Sequence, residues 1–261
     1  MEEKRGHLDH IEGLPEVLRV DTSNPWRWLL RGWQDLASHP VASLSYGVIY
    51  AFIGYFVLVF TSSQAYLFVV AVSGFFFVGP IAAAGLYELS RRRQAGERCG
   101  FFASLKGLQR RARPLAFYSV ILAVMFILWE RLSVILFELF YQGRVPGLAQ
   151  VAHDFIFADA HTTSAITYVI IGGLLAALVF IVSVVSVPMI VDRGVDVLTA
   201  MTTSVRAVGS NLGPITLWAA IIVGATEVGF ATFMLGVIVL FPLIGHASWH
   251  AYKDLVEAET P

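Results

Sequence analysis

From Val41 to Phe60 the sequence reads "VASLSYGVIYAFIGYFVLVF", without one charged side chain. A helix needs roughly 20 mostly apolar residues, at about 1.5 Å each, to cross a hydrocarbon core of about 30 Å. Inside lipid no water can pair the backbone amides, so the segment must pair its own, as a helix does. The pattern recurs: "AYLFVVAVSGFFFVGPIAAAGLYEL" covers 65–89, and "PLAFYSVILAVMFILW" (114–129) opens a span that continues past Glu130 and Arg131. A fourth is "SAITYVIIGGLLAALVFIVSVVSVPMIV" (164–191). The stretch from Pro214 to Tyr252 is too long for one crossing, and it reads as two spans joined by a tight turn within 229–234. Charged residues make up 14% of the chain, against about a quarter in a soluble domain. The expectation is an all-α polytopic membrane protein with six transmembrane helices.

Orientation follows from the basic residues. With six spans, one side carries the amino-terminal arm, the loops 90–113 and 192–213, and the carboxyl tail. Those segments hold 16 of the 18 lysines and arginines; the other side has only Arg131 and Arg144. Both termini are therefore expected in the cytoplasm. Residues 1–39 contain no early apolar run that would act as a signal peptide. The net charge of −1 points to no general affinity for nucleic acid. The single cysteine, Cys99, excludes an intramolecular disulfide and a cysteine-built zinc or iron–sulfur site.

"SLKGLQRRARP" (104–114) and "SVRAVGSNLGP" (204–214) align without a gap at an offset of 100 residues. "LRGWQDLASHP" (30–40) is a third copy with one extra residue before Pro40. Each copy is a short amphipathic helix, then a proline, then an apolar span; proline suits a helix's first turn, where its missing N–H would be unpaired anyway. In the first, Trp26, Leu29, Leu30, Trp33 and Leu36 line one side and Arg27, Arg31, Gln34 and Asp35 the other. Such helices lie in the headgroup plane. Pro80, Pro188 and Pro242 each precede a cytoplasmic exit by about two turns, where a proline kinks the span and frees a carbonyl that a neighbouring helix must satisfy. The expected organisation is a polar arm, 1–24, and one membrane domain, 25–257, built of three hairpins (25–93, 100–193, 196–256), each preceded by an interfacial amphipathic helix.

The segments "RVDTSNPWRWLLRGWQDL", "VSGFFFVGPIAAAGLYELSRR", "SVPMIVDRGVD" with "SVRAVGSNLGP", and "PLIGHASWHAY" together resemble a bacterial family of predicted integral membrane proteins, domain of unknown function 2189. The resemblance implies a polytopic inner-membrane protein with no established activity, some relatives being labelled a cytochrome c oxidase subunit. The unit of proline and interfacial helix is also similar to the membrane domain attached to some glycerophosphodiester phosphodiesterases. Neither resemblance brings catalytic residues with it.

Candidate chemistry is sparse. His246 and His250, four residues apart in "GHASWHAYKD", share a helix face and are the candidates for haem or metal. Haem–copper oxidase chemistry needs more intramembrane histidines than this. Eight residues past each exit proline stand Glu88, Asp196 and His250, which would converge if the hairpins pack around a pseudo-threefold axis. The other reading is that this position is where each helix leaves the apolar core; Trp249 and Tyr252, as interface aromatics, favour it. Glu227 is the one acid far inside an apolar stretch, either a proton or cation site or an interfacial residue near the turn. His153 and His161, with Asp154 and Asp159, could bind a divalent metal or belong to a solvated loop. Arg91, Arg92, Arg93, Arg98, Arg110, Arg111 and Arg113, with Lys106, fix topology and attract anionic headgroups. The sequence has no phosphate-binding loop, dinucleotide fingerprint or HExxH. The functional expectation is a non-catalytic accessory or scaffold protein engaging lipid or other membrane proteins, with no cofactor. The alternatives are a transporter or channel for a small or lipidic solute, and a haem or metal carrier.

Overall fold

The computed structural model describes residues 14–61, 65–97, 99–141 and 162–256. Its α-helices, in chain order, are α1 (Asn24–Ser38), α2 (Pro40–Thr61), α3 (Ala65–Ala82), α4 (Ala84–Gln94), α5 (Phe101–Leu108), α6 (Ala112–Tyr141), α7 (Thr162–Ser183), α8 (Ser186–Arg193), α9 (Val197–Ser210), α10 (Leu212–Ala231) and α11 (Val237–Leu255). Among the described residues the only β pairing is an isolated antiparallel bridge between Val17 and Val256.

Prolines set the punctuation. Pro40, Pro114 and Pro214 each lie in the first turn of a long helix, and each of those helices follows a short one: α1 before α2, α5 and a 3-10 turn before α6, α9 before α10. At the exits, the chain breaks at Ala83, just past Pro80, and at 184–185, just before Pro188. Ser204 of α9 repairs the second break. Its hydroxyl donates to the Ile181 carbonyl at 2.6 Å and accepts the Val185 N–H at 3.2 Å. Pro242 sits inside an uninterrupted α11.

Among the described residues five stretches are long and apolar enough to cross a membrane: Pro40–Thr61, Val70–Gln94, Phe101–Leu139, Ile166–Arg193 and Leu212–Ala231. The turn between α10 and α11 falls at 232–236, a little later than the sequence suggests, with Phe233 and Met234 both left-handed at φ 50° and 69°. α11 falls short of the apolarity of the other five because His246, Ser248, His250, Lys253 and Asp254 crowd its second half. That half is buried in protein instead: Ala247, Trp249, Ala251, Tyr252 and Leu255 have no exposed surface.

Contacts divide the chain into two compact units, one from Met1–Ala51, Pro80–Phe117 and Phe180–Pro261, the other from Phe52–Gly79 and Tyr118–Val179. In the first, α11 is the central element. α1 lies close along it because Gly32 has no side chain where the Ala247 nitrogen and Leu243 carbonyl approach; a Cβ there would stand 2.7 and 2.9 Å from them. At Gly47 of α2 a Cβ would overlap the Ile238 carbonyl. Trp28 and Trp218 meet edge to face at 5.6 Å.

The buried face of α1 is not the expected one. Pro25, Trp28, Gly32, Asp35 and Leu36 are buried, whereas Trp26, Leu30 and Trp33 stay 60%, 60% and 51% exposed. Packing against α11 selects the side with the glycine, because close approach gains more contact than the larger but bulkier aromatic stripe. Asp35, which the sequence places on the polar side of α1, is therefore a core residue.

The second unit is held by rings. Phe77 meets Phe126 at 5.5 Å, and Tyr168 meets Trp129 at 5.2 Å and Phe137 at 5.4 Å. Gly172 receives the Trp129 ring, the close approach its small size suggests. Phe52, Phe60, Leu128, Ile135, Leu139 and Leu174 point outward.

Candidate functional site

The two histidines of α11 face a buried carboxylate. Asp35 of α1, 1% exposed, accepts from His250 Nε2 at 3.1 Å through its Oδ2. The same oxygen takes the Ser90 hydroxyl from α4, and Oδ1 takes the Arg93 guanidinium. Ser90 Oγ also lies 2.8 Å from His246 Nδ1, and His246 Nε2 lies 2.8 Å from Ser43 Oγ of α2. Ser43, Ser90, His246 and His250 are all buried. Asp35 thus joins α1, α4 and α11 directly, with α2 tied in through Ser43 and His246, and burying that charge is tolerable because arginine, histidine and serine donors converge on it.

This constellation contains serine, histidine and aspartate, all buried and bonded to one another. A nucleophile must reach substrate, and Ser43 and Ser90 have no exposed surface. Both ring nitrogens of His246 are engaged by serines, which leaves none for a metal or haem bond. His250 has Nδ1 alone left over, buried without a hydrogen-bond partner among the described residues. No group of three or more His, Cys, Asp or Glu side chains among the described residues is placed to hold a metal ion.

Three smaller clusters brace the same unit. Asp254, at the end of α11, receives Trp28 Nε1 at 2.8 Å, Asn24 Nδ2 at 3.4 Å and the Arg31 guanidinium. Burial alone would raise its pKa, but the Arg31 and Trp28 hydrogen bonds and the Arg31 charge outweigh burial and hold it below the usual carboxylate range. Asp192 of α8 accepts the Tyr252 hydroxyl at 2.8 Å and Lys253 Nζ at 3.0 Å. Asn211, between α9 and α10, clamps the incoming chain: its Oδ1 takes the Val20 N–H at 2.8 Å and its Nδ2 donates to the Leu18 carbonyl at 2.9 Å. With Leu18 N–H on the Leu255 carbonyl and Arg206 on the Pro15 carbonyl, residues 15–20 are tied to the unit.

Glu88, Asp196 and His250 are each held by different partners. Glu88 is buried and pairs with Arg91 at 2.7 Å and Arg92 at 2.6 Å. Asp196 is exposed and caps α9, taking the Thr199 N–H at 3.0 Å and hydroxyl at 2.6 Å; those bonds lower its pKa. His250 belongs to the Asp35 cluster. Arg91, Arg92 and Arg93 are thus engaged with carboxylates of the chain itself, Arg111 reaches the Asp192 carbonyl at 3.4 Å, and Arg110 and Arg113 are exposed. Glu227 is exposed in the last turns of α10, close to the 232–236 turn. Trp249 and Tyr252, expected at the interface, are fully buried and packed on each other at 5.6 Å. His153, Asp154, Asp159, His161, Arg98 and Arg144 lie outside the described residues.

Asp35, Ser43, Ser90, Asp192 and Asn211 are the residues a sequence reading passes over. A signal existed for Asp35: it follows Trp28 and Gly32 at spacings of seven and three, so all three share a face.

No curated protein and no solved structure matches the chain. Residues 67–192 match the family model described as "Predicted integral membrane protein (DUF2189)". With five apolar helices of membrane-spanning length among the described residues, the chain is an integral membrane protein whose residues 67–192 match the DUF2189 family.

Proposed function

We propose that this protein is a non-catalytic scaffold of the bacterial inner membrane that engages lipid or a larger membrane complex. One observation carries the reading: each short helix that precedes a long one leaves an apolar stripe uncovered. On α1 these are Trp26, Leu30 and Trp33; on α5, Phe102 and Leu105; on α9, Leu198 and Val205. Their spacings of three, four or seven residues put each set on one helix face. Apolar stripes on helices ending in a proline-led span suit the boundary between headgroups and acyl chains.

In this reading the molecule has six spans as three hairpins, with α11 as the sixth, its first half in lipid and its second half in protein. The hairpins descend from one repeated unit. Ser104 and Ser204, matched at the offset of 100, are both buried and bonded to a neighbouring helix, while their followers Leu105 and Val205 are both exposed. The concentration of lysine and arginine on one side puts both termini in the cytoplasm. The polar side chains that could do chemistry are committed to closed structural clusters, which favours scaffolding over turnover.

Two experiments test this. A reporter fused after Gln64 should read periplasmic and one after Arg93 cytoplasmic; the reverse pattern would invert the topology. Purification in mild detergent followed by mass spectrometry should recover stoichiometric lipid or a membrane partner. A bare chain that instead turns over or transports a solute in vesicles would end the scaffold reading.

A further inference from the structure

Beside α1 the protein forms an open groove of about 940 Å³ lined by 18–21, by Asn24, Arg27, Leu30 and Arg31 of α1, and by Lys253 and Asp254 of α11. One wall is fixed by backbone bonds, since Leu18 and Val20 are pinned to Leu255 and Asn211. Four cations line it, Arg19, Arg27, Arg31 and Lys253, against two carboxylates, Asp21 and Asp254.

Both carboxylates are already satisfied. Asp254 is held by Arg31, Trp28 and Asn24. Asp21 closes its own turn, accepting the Ser23 N–H at 2.9 Å and the Thr22 hydroxyl at 3.2 Å. Lys253 serves Asp192. Arg19 and Arg27 are exposed, and among the described residues neither makes a hydrogen bond or ion pair; Arg27 senses Asp21 only through space. The groove therefore carries positive charge not neutralised at contact. Leu30 belongs to both the groove and the uncovered Trp26–Leu30–Trp33 stripe, so the cationic site and the apolar stripe are continuous.

We propose that this groove binds the phosphate of an anionic phospholipid, with Arg19 and Arg27 on the headgroup and Leu18 and Leu30 against the start of its acyl chains. The proposal rests on the interfacial reading of α1 given above and adds headgroup selectivity and two arginines to it. A guanidinium presents paired donors matched to phosphate oxygens, and charge near a membrane surface adds to apolar burial.

The test is tryptophan quenching in the purified full-length protein, titrated in mild detergent with brominated phosphatidylglycerol or brominated phosphatidylcholine. Two arginines near an anionic headgroup should give phosphatidylglycerol an advantage of roughly tenfold in half-quenching concentration. Arg19→Gln/Arg27→Gln should bring the two lipids within about twofold, while Arg19→Lys/Arg27→Lys should keep most of the preference. Both pairs are surface changes, and an unchanged melting curve verifies the fold. Equal quenching by both lipids in the wild type, or a preference that survives the glutamine pair, removes the groove and leaves the interfacial helix standing. Absence of quenching by either lipid removes both. Displacement of phosphatidylglycerol by an equal concentration of inorganic phosphate would assign the groove to a soluble anion and overturn the lipid proposal.

Discussion

The two compact units bury helices by different means. In Phe52–Gly79 with Tyr118–Val179 rings meet across helices, and Ser133 bonds Tyr168 at 2.7 Å. In the other unit rings also meet, as Trp28 and Trp218 do, but carboxylates, histidines, serines and an asparagine tie helix to helix, and α1 and α2 approach α11 closely over Gly32 and Gly47. Lipid supplies no hydrophobic drive between helices, so a lipid-embedded unit depends on shape. A unit in which short helices pack on one another can bury charge when every partner is present, and becomes vulnerable when one is missing.

That contrast orders the expected effects of substitution, all read by thermal unfolding in mild detergent. Asp35→Ala should be the most damaging, about 3–5 kcal/mol, because it strands Arg93, His250 and Ser90 together. A loss under about 1 kcal/mol would mean that water replaces the carboxylate and that the cluster is not closed. Gly47→Ala should cost about 1–3 kcal/mol, since its Cβ meets the Ile238 backbone and not a yielding side chain. Ser204→Ala should follow at about 1–2 kcal/mol, leaving the Ile181 carbonyl and Val185 amide of the α7–α8 break unsatisfied. In the ring-packed unit, Tyr168→Phe removes only the bond to Ser133 and should cost about 0.6 kcal/mol, the usual worth of such a bond between membrane helices. If Tyr168→Phe proved costlier than Ser204→Ala, the division between the units would not hold.

Acid gives a further small separation. The folded pKa of Asp254 is below its unfolded value, so its bond to Arg31 contributes stability above the unfolded pKa of about 3.9, lost as pH falls through the folded one. Asp254→Asn should flatten the loss of melting temperature below about pH 4; an unchanged acid profile would show that Arg31 gains nothing from the charge.

Much of the fold is legible in the order of the amino acids. Apolar runs of membrane length, prolines at helix starts and the split of 214–252 around a turn follow from local chemistry that each segment carries alone. The site is less so. Hydrophobic spacing on α1 favours the Trp26, Leu30 and Trp33 side, yet the buried side is chosen by what α11 can approach, a property of two segments more than 200 residues apart in sequence. His246 and His250 stand out as a pair, but their meaning depends on Asp35 and Ser90, which no spacing rule joins to them. Trp249 and Tyr252 mislead for the same reason: interface aromatics and core aromatics look alike in a sequence.

The central claim is that Asp35 and the α11 histidines form one closed structural unit. A double-mutant cycle on Asp35→Asn and His250→Gln tests it most directly. Residues bonded at 3.1 Å within one buried network should show a coupling free energy of about 1–3 kcal/mol. Additive effects, with coupling within about 0.3 kcal/mol of zero, would contradict the account and return the two histidines to the question of what else they bind.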